Sequence, residues 1–163
     1  MTGSLLSRVL CAVLCGCLAS CSGKTEDCGQ LPADMSVGNA GCVVMQGDAL
    51  AMVQQRRDDS WSIPGGTAEP GERAACTAAR ETHEESGLQV RPLKLLRVMD
   101  NGFHVYWCAA EGSTQLRPID WLEIKGAAWK RLPERDQLTW RFPAEKPLLE
   151  ALIKALPASP PQS

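Results

Sequence analysis

The sequence predicts one domain in which strands and helices mix. Three observations predict it. Short apolar runs bounded by turn residues read as strands, the first pair being residues 40–45 and 49–54 about Gly47-Asp48. A run rich in Ala, Arg and Glu starts near Glu72 and stops at Ser86-Gly87, which reads as a helix with a glycine cap. Leu148, Leu149, Leu152, Ile153 and Leu156 fall at helical spacing and predict the core face of a C-terminal helix over residues 144–156. The 163 residues suffice for one domain with a core. The formal net charge of −2 gives no electrostatic footprint for nucleic acid.

Residues 1–20 stand apart from the fold. Arg8 precedes an apolar stretch, 9–18, that is too short for an ordinary membrane-spanning helix and reads as a secretory signal. Its end, Leu18-Ala19-Ser20-Cys21, resembles the bacterial lipobox. That resemblance implies cleavage before Cys21, acylation of Cys21, and a lipid anchor facing the periplasm. Ser22 in place of Asp favours the outer membrane. Two alternatives stand beside it: an uncleaved apolar anchor, or a start at Met35 that leaves a cytoplasmic domain. On this reading 21–39 is a tether, 40–156 the domain, and 157–163 a disordered tail rich in Pro and Ser.

Cys11, Cys15 and Cys17 leave with the signal, and Cys21 is lipidated. Cys28, Cys42, Cys76 and Cys108 remain. They lack a C-x-x-C pair, which disfavours zinc. An oxidising periplasm allows disulfides among them in any of three pairings. Equally, Cys42 and Cys108 read as small buried hydrophobes in strands.

Residues 55–60 form a charged loop, and Trp61 packs against the loop that follows. Residues 90–99 are apolar and partly alternating. Asn101-Gly102 is a strong hairpin signal, with residues 103–110 as the return strand. Phe103, Val105 and Trp107 share one face of it, and His104, Tyr106 and Cys108 the other. His104 reads as structural, and His83 as solvent-facing. Residues 124–131 read as a strand containing Trp129, followed by Leu132-Pro133-Glu134.

The chemistry lies in residues 65–88, GGTAEPGERAACTAARETHEESGL. The double glycine permits a sharp turn and close approach to a ligand. Glu81 lies three residues before Glu84 and four before Glu85, so a helix puts the three carboxylates on one face. Like charges at that spacing repel, and a bound divalent cation reverses the sign. Gly66, Glu72, Arg80, Glu81, Glu84, Glu85, Gly87 and Leu88 fit G-x5-E-x7-R-E-U-x-E-E-x-G-U, where U is aliphatic. This resembles the Nudix box, and Trp61-Ser62-Ile63-Pro64 before Gly65-Gly66 resembles its usual lead-in. Thr82 departs from the pattern, standing where an aliphatic residue is usual, and should soften a helix–sheet contact.

The resemblance covers residues 40–156, most strongly in the box. It implies the Nudix fold, an α/β/α sandwich around a mixed β-sheet. It implies metal-dependent hydrolysis of the diphosphate in a nucleoside diphosphate linked to another group. It assigns Mg2+ or Mn2+ to Glu81, Glu84 and Glu85, with the Gly66 carbonyl as a further ligand. Glu72 binds metal or orients Arg80, and Arg80 holds carboxylates in place. The general base is a box glutamate or a group on a loop. The substrate is a small nucleotide-like molecule. Export favours nucleotide sugars, ADP-ribose-like compounds or dinucleoside polyphosphates over oxidised dGTP. The alternative is a non-catalytic Nudix module for ligand binding or envelope assembly.

Overall fold

A computed structural model describes residue 28 and residues 34–157. The lipobox and Cys21 lie outside the described residues. The strands are β1 (Ala40–Gln46), β2 (Ala49–Gln55), β3 (Trp61–Ser62), β4 (Gly65–Gly66), β5 (Gln89–Val98), β6 (His104–Glu111) and β7 (Ile124–Lys130). The helices are α1 (Ala74–Ser86), α2 (Leu132–Arg135) and α3 (Lys146–Lys154). No helix among the described residues is long and apolar enough to cross a membrane.

The sheet is mixed and forked at β1. The C-terminal end of β1 pairs antiparallel with β2 through the Gly47-Asp48 turn. Its N-terminal part pairs antiparallel with β4 and parallel with β6. β2 carries β3 and β7, and β6 carries β5. Both faces of β1 and β2 are buried, because side chains alternate into two separate cores. On one side α1 packs Ala74, Ala75 and Ala78 against Ala40, Cys42, Val44, Tyr106 and Cys108. On the other, Leu149 of α3 and Trp140 pack against Val43, Leu50, Met52 and Val105. This is the α/β/α sandwich the sequence predicts.

Several expectations change in detail. α1 starts at Ala74, because Arg73 is still extended and Glu72 lies in the preceding turn. The Ala74 N–H, an orphan of the first helical turn, donates to the Ser36 carbonyl at 2.8 Å. Residues 34–39, assigned to the tether, are therefore joined to the domain. The Arg73 guanidinium donates to the Asp34 carbonyl, and the buried Tyr106 hydroxyl donates to the Asp34 carboxylate. Burial pushes the Tyr106 hydroxyl pKa up, and this bond adds to the shift.

At the β5–β6 turn only Gly102 takes positive φ, so a two-residue turn needing it at both positions is excluded. Instead Gly102 N–H donates to Met99 O, and Met99 N–H to Phe103 O, closing a longer loop. In α3, Leu149 is buried and Ile153 partly so, but Leu148 is exposed. The helix packs along one narrow stripe, and Leu148 falls off it.

Cys42 pairs with Cys108, and Cys28 with Cys76, with Cα separations of 5.6 and 4.9 Å. The first bridge joins neighbouring parallel strands inside the core, so its cysteines are both buried hydrophobes and a disulfide. The second fastens residue 28 to α1. The Cys42–Cys108 bridge spans 66 residues. On the chain-entropy view, such a loop is worth about 4 kcal/mol. Cys42→Ala/Cys108→Ala should lower unfolding free energy by about 2–5 kcal/mol in urea titration. Unreduced peptide mapping should recover the two stated pairs, and any other pairing overturns the assignment.

Thr82 is fully buried, and its hydroxyl has no hydrogen-bond partner. An unsatisfied buried hydroxyl costs about 1–3 kcal/mol. Thr82→Val keeps the shape and removes the polar atom. It should raise stability by about 1 kcal/mol. An unchanged or lower melting temperature would contradict this account of Thr82.

Candidate active site

The site forms where β4 crosses the N-terminal end of β1, beneath α1. Gly65 pairs with Gly41 and Gly66 with Ala40. A Cβ on Gly65 would lie 2.5 Å from the Gly41 Cα and 2.6 Å from the Ala40 carbonyl. No side chain fits between two backbones this close. A Cβ on Gly66 would lie 2.5 Å from a Glu81 carboxylate oxygen. The double glycine thus lets the backbone and the helix carboxylates meet.

Arg80 organises those carboxylates. Its Nε and Nη2 donate to the two oxygens of Glu72, each at 2.9 Å. Its Nη1 reaches Glu81 at 2.9 Å and Glu84 at 3.1 Å. Nη2 also donates to the Thr67 carbonyl at 2.9 Å. The bonds from Arg80 pull the Glu72 pKa down to about 2, and in return the guanidinium is held more firmly protonated. Glu72 also accepts from the Glu69 N–H and the Thr77 hydroxyl, both at 2.9 Å.

Glu85 turns the other way. Its carboxylate is 5% exposed and accepts one bond, from the Gly65 N–H at 2.7 Å. Burial pushes its pKa up to about 8, and the charges of Glu81 and Glu123 add to the rise. The Gly65 bond and the charge of Arg141 oppose it. Burial likewise raises Glu81. Glu84 is the most exposed of the three helix carboxylates.

All the box residues predicted for the site therefore meet here. Their carboxylates are turned to Arg80 and to the Gly65 amide. No group of three or more His, Cys, Asp or Glu side chains among the described residues is arranged as a ready ligand set. His104 is buried, with Nδ1 3.3 Å from the Asn39 carbonyl. His83 is half-buried beside Gln89.

Beside β4 opens a cavity of about 240 Å3, lined by Trp61, Phe103, Trp140, Arg141 and Phe142 among others. Residues 140–142 lie just before the C-terminal helix, and local sequence gives them no place in the site. What brings them here is a bridge from Trp61 to Trp140: the Trp61 N–H donates to Thr139 O, and the Arg141 N–H to Trp61 O. The aromatic cluster Trp140-Arg141-Phe142 was the available signal, but its partner lies about eighty residues upstream, beyond any local pattern.

The NUDIX domain model matches residues 35–152. The chain belongs to the Nudix family. Among curated relatives, an 8-oxo-(d)GTP phosphatase of Mycolicibacterium smegmatis is 31% identical over 112 residues, covering 64% of this chain and 34% of that protein. A MutT-like protein of Streptomyces ambofaciens is 30% identical over 97 residues, covering 53% of this chain and 63% of that protein. The matches span about a third of the length of several curated Nudix relatives, 29%, 30% and 35% in three of them. The solved structure of an ADP-ribose pyrophosphatase from Streptococcus suis has the same fold. Its TM-score is 0.61 at 20% identity, over 73% of this chain and 91% of that one.

The Glu85 shift has a definite sign. Its folded pKa, about 8, lies above the ordinary 4.5. Stability from this group is full below pH 4.5 and is lost as pH rises through 8. Glu72 acts in another window: its stabilisation is present above pH 4.5 and lost as pH falls towards 2. With chelator present, the melting temperature of the wild type should therefore fall between about pH 5 and 8.5 relative to Glu85→Gln. Parallel curves would mean that Glu85 is not desolvated.

Proposed function

We propose that this protein is a metal-dependent hydrolase that cleaves the diphosphate linkage of a nucleoside diphosphate joined to another group. The observation that carries this is the excess of carboxylate around one guanidinium. Glu72, Glu81 and Glu84 share Arg80, and Glu85 sits buried beside them with no cation of its own in contact. The cluster is unfavourable alone and suits a cation.

The donor set fits Mg2+ or Mn2+, since every group is a hard oxygen. Glu81, Glu84 and Glu85, with the Gly66 carbonyl, would hold the ion. When bound, such an ion neutralises phosphate charge and makes water nucleophilic at neutral pH. Glu72 has both oxygens committed to Arg80, so its part is to orient that guanidinium. Arg80 fixes Glu81 and Glu84 on their helical turns. The Gly65 N–H orients Glu85. The aromatic cavity lies within reach of this cluster and takes the organic part of the substrate.

We also propose that Cys21 is acylated and that the domain hangs from a membrane in the periplasm, outer membrane favoured. The lipobox supports this, as does the presence of two disulfides, which suit an oxidising compartment. An export location favours nucleotide sugars, ADP-ribose-like compounds or dinucleoside polyphosphates as substrates.

Hydrolysis of such compounds should need Mg2+ or Mn2+ and stop on chelation. Glu85→Gln should lower kcat by about tenfold or more, because it removes charge that matters most in the transition state. Equal rates for Glu85→Gln and wild type, across a broad panel at saturating metal, would favour the non-catalytic binding module instead. For the anchor, intact mass of the native protein should show an acylated chain beginning at Cys21. An unmodified chain beginning at Met1 or Met35 would refute it.

A further inference from the structure

The cavity beside β4 presents the rings of Trp61, Phe103, Trp140 and Phe142. Its volume, about 240 Å3, is below the roughly 300–1,000 Å3 of pockets that enclose a whole drug-sized ligand. It has room for one ring system, with the rest of the molecule projecting outwards. Aromatic walls favour a flat conjugated ring through offset and edge-to-face contacts. Trp61 and Trp140 are held in place by the backbone bridge between them, and the Trp140 indole N–H donates to Arg135 O at 2.9 Å. Arg135 is itself 3% exposed and bound to both oxygens of Glu150 at 2.8 Å. The walls are therefore rigid before any ligand arrives.

The charged lining residues are not equivalent. Lys146 is paired with Asp136 at 2.8 Å, and Glu145 accepts from Asn101 at 3.2 Å. Arg141 has no ion pair recorded among the described residues. Its guanidinium carbon lies 5.3 Å from the centre of the Phe142 ring, and its backbone is fixed to Trp61. It is exposed and lines the cavity together with Gly65 and Gly66 of β4. A guanidinium without an ion pair among the described residues thus lines the same cavity as the aromatic rings and the two glycines that meet the carboxylate cluster.

We propose that Arg141 is the specificity-determining cation of this site, binding a phosphate of a ligand whose aromatic ring rests against Trp61 and Trp140. This rests on the diphosphate reading above and assigns, within it, the residue that holds a phosphate and the walls that hold the base. A guanidinium fork matches phosphate oxygens with two donors at once. A polyphosphorylated ring without a base would meet aromatic walls and a single free cation, and would bind poorly.

The test measures binding without turnover. Trp61 and Trp140 line the cavity, so tryptophan fluorescence reports occupancy. Full-length protein in chelator and low salt is titrated with adenosine, AMP and ADP-ribose. AMP and ADP-ribose should bind about tenfold more tightly than adenosine, a difference of about 1.4 kcal/mol. Arg141→Ala should erase that preference while keeping adenosine affinity and melting temperature. Arg141→Lys should recover part of it, since the charge returns without the fork. Trp61→Ala should weaken all three. A full phosphate preference in Arg141→Ala, or no response to adenosine in the wild type, overturns the proposal. Binding as described with no hydrolysis under any metal would sink the catalytic reading and leave this one standing.

Discussion

The site depends on one guanidinium shared among several carboxylates. An arginine has five N–H donors in a fixed fork, and Arg80 uses all of them: two on Glu72, one each on Glu81 and Glu84, one on the Thr67 carbonyl. Carboxylates three and four residues apart on a helix repel. With this fork Glu81 and Glu84 stay together, and Arg80 has no donor left for a ligand. One positive charge against Glu72, Glu81 and Glu84 leaves the cluster short of cation, and buried Glu85 stands beside it as a further oxygen donor. The same geometry that gathers the carboxylates on α1 therefore leaves them with less positive charge than negative.

The glycines are the other half of that constraint. The Gly65–Gly66 strand lies so close to β1 and to Glu81 that any side chain would force them apart. The sequence pattern made the double glycine legible as a close approach, and the carboxylates as one helical face. Both are local facts, set within residues 65–88, where spacing alone fixes geometry. Thr82 was legible as a deviation, while the cost of its orphan hydroxyl needed the packed structure.

What lay beyond local spacing was harder to read. The pairing Cys42–Cys108 follows from β1 and β6 lying side by side in parallel, a contact across 66 residues that no single segment encodes. The two readings of those cysteines, buried hydrophobe and disulfide, proved compatible because a bridge inside a core is both. The chain before β1 looked polar and linker-like. Its role in satisfying the first turn of α1 and the Tyr106 hydroxyl depends on backbone groups, which composition does not report. Leu148 was misplaced because α3 is short and packs along a narrow stripe centred on Leu149.

The contrast between local and distant determinants also divides the chemistry. The carboxylate cluster comes from one turn and one helix within residues 65–88, and outside them it leans on the β1 backbone under β4. The cavity is lined by β3, β4, the β5–β6 turn and the segment before α3, places joined only by the fold, and β4 is the element it shares with the carboxylate cluster. Its walls hang on backbone bonds to Trp61 and on the buried Arg135–Glu150 pair, neither of which touches the carboxylates. A side chain such as Arg141 can then change without moving Arg80 or the glutamates. The cavity walls and the carboxylates are held by different sets of contacts, with α1 packed on one face of the sheet and Trp140 and α3 on the other.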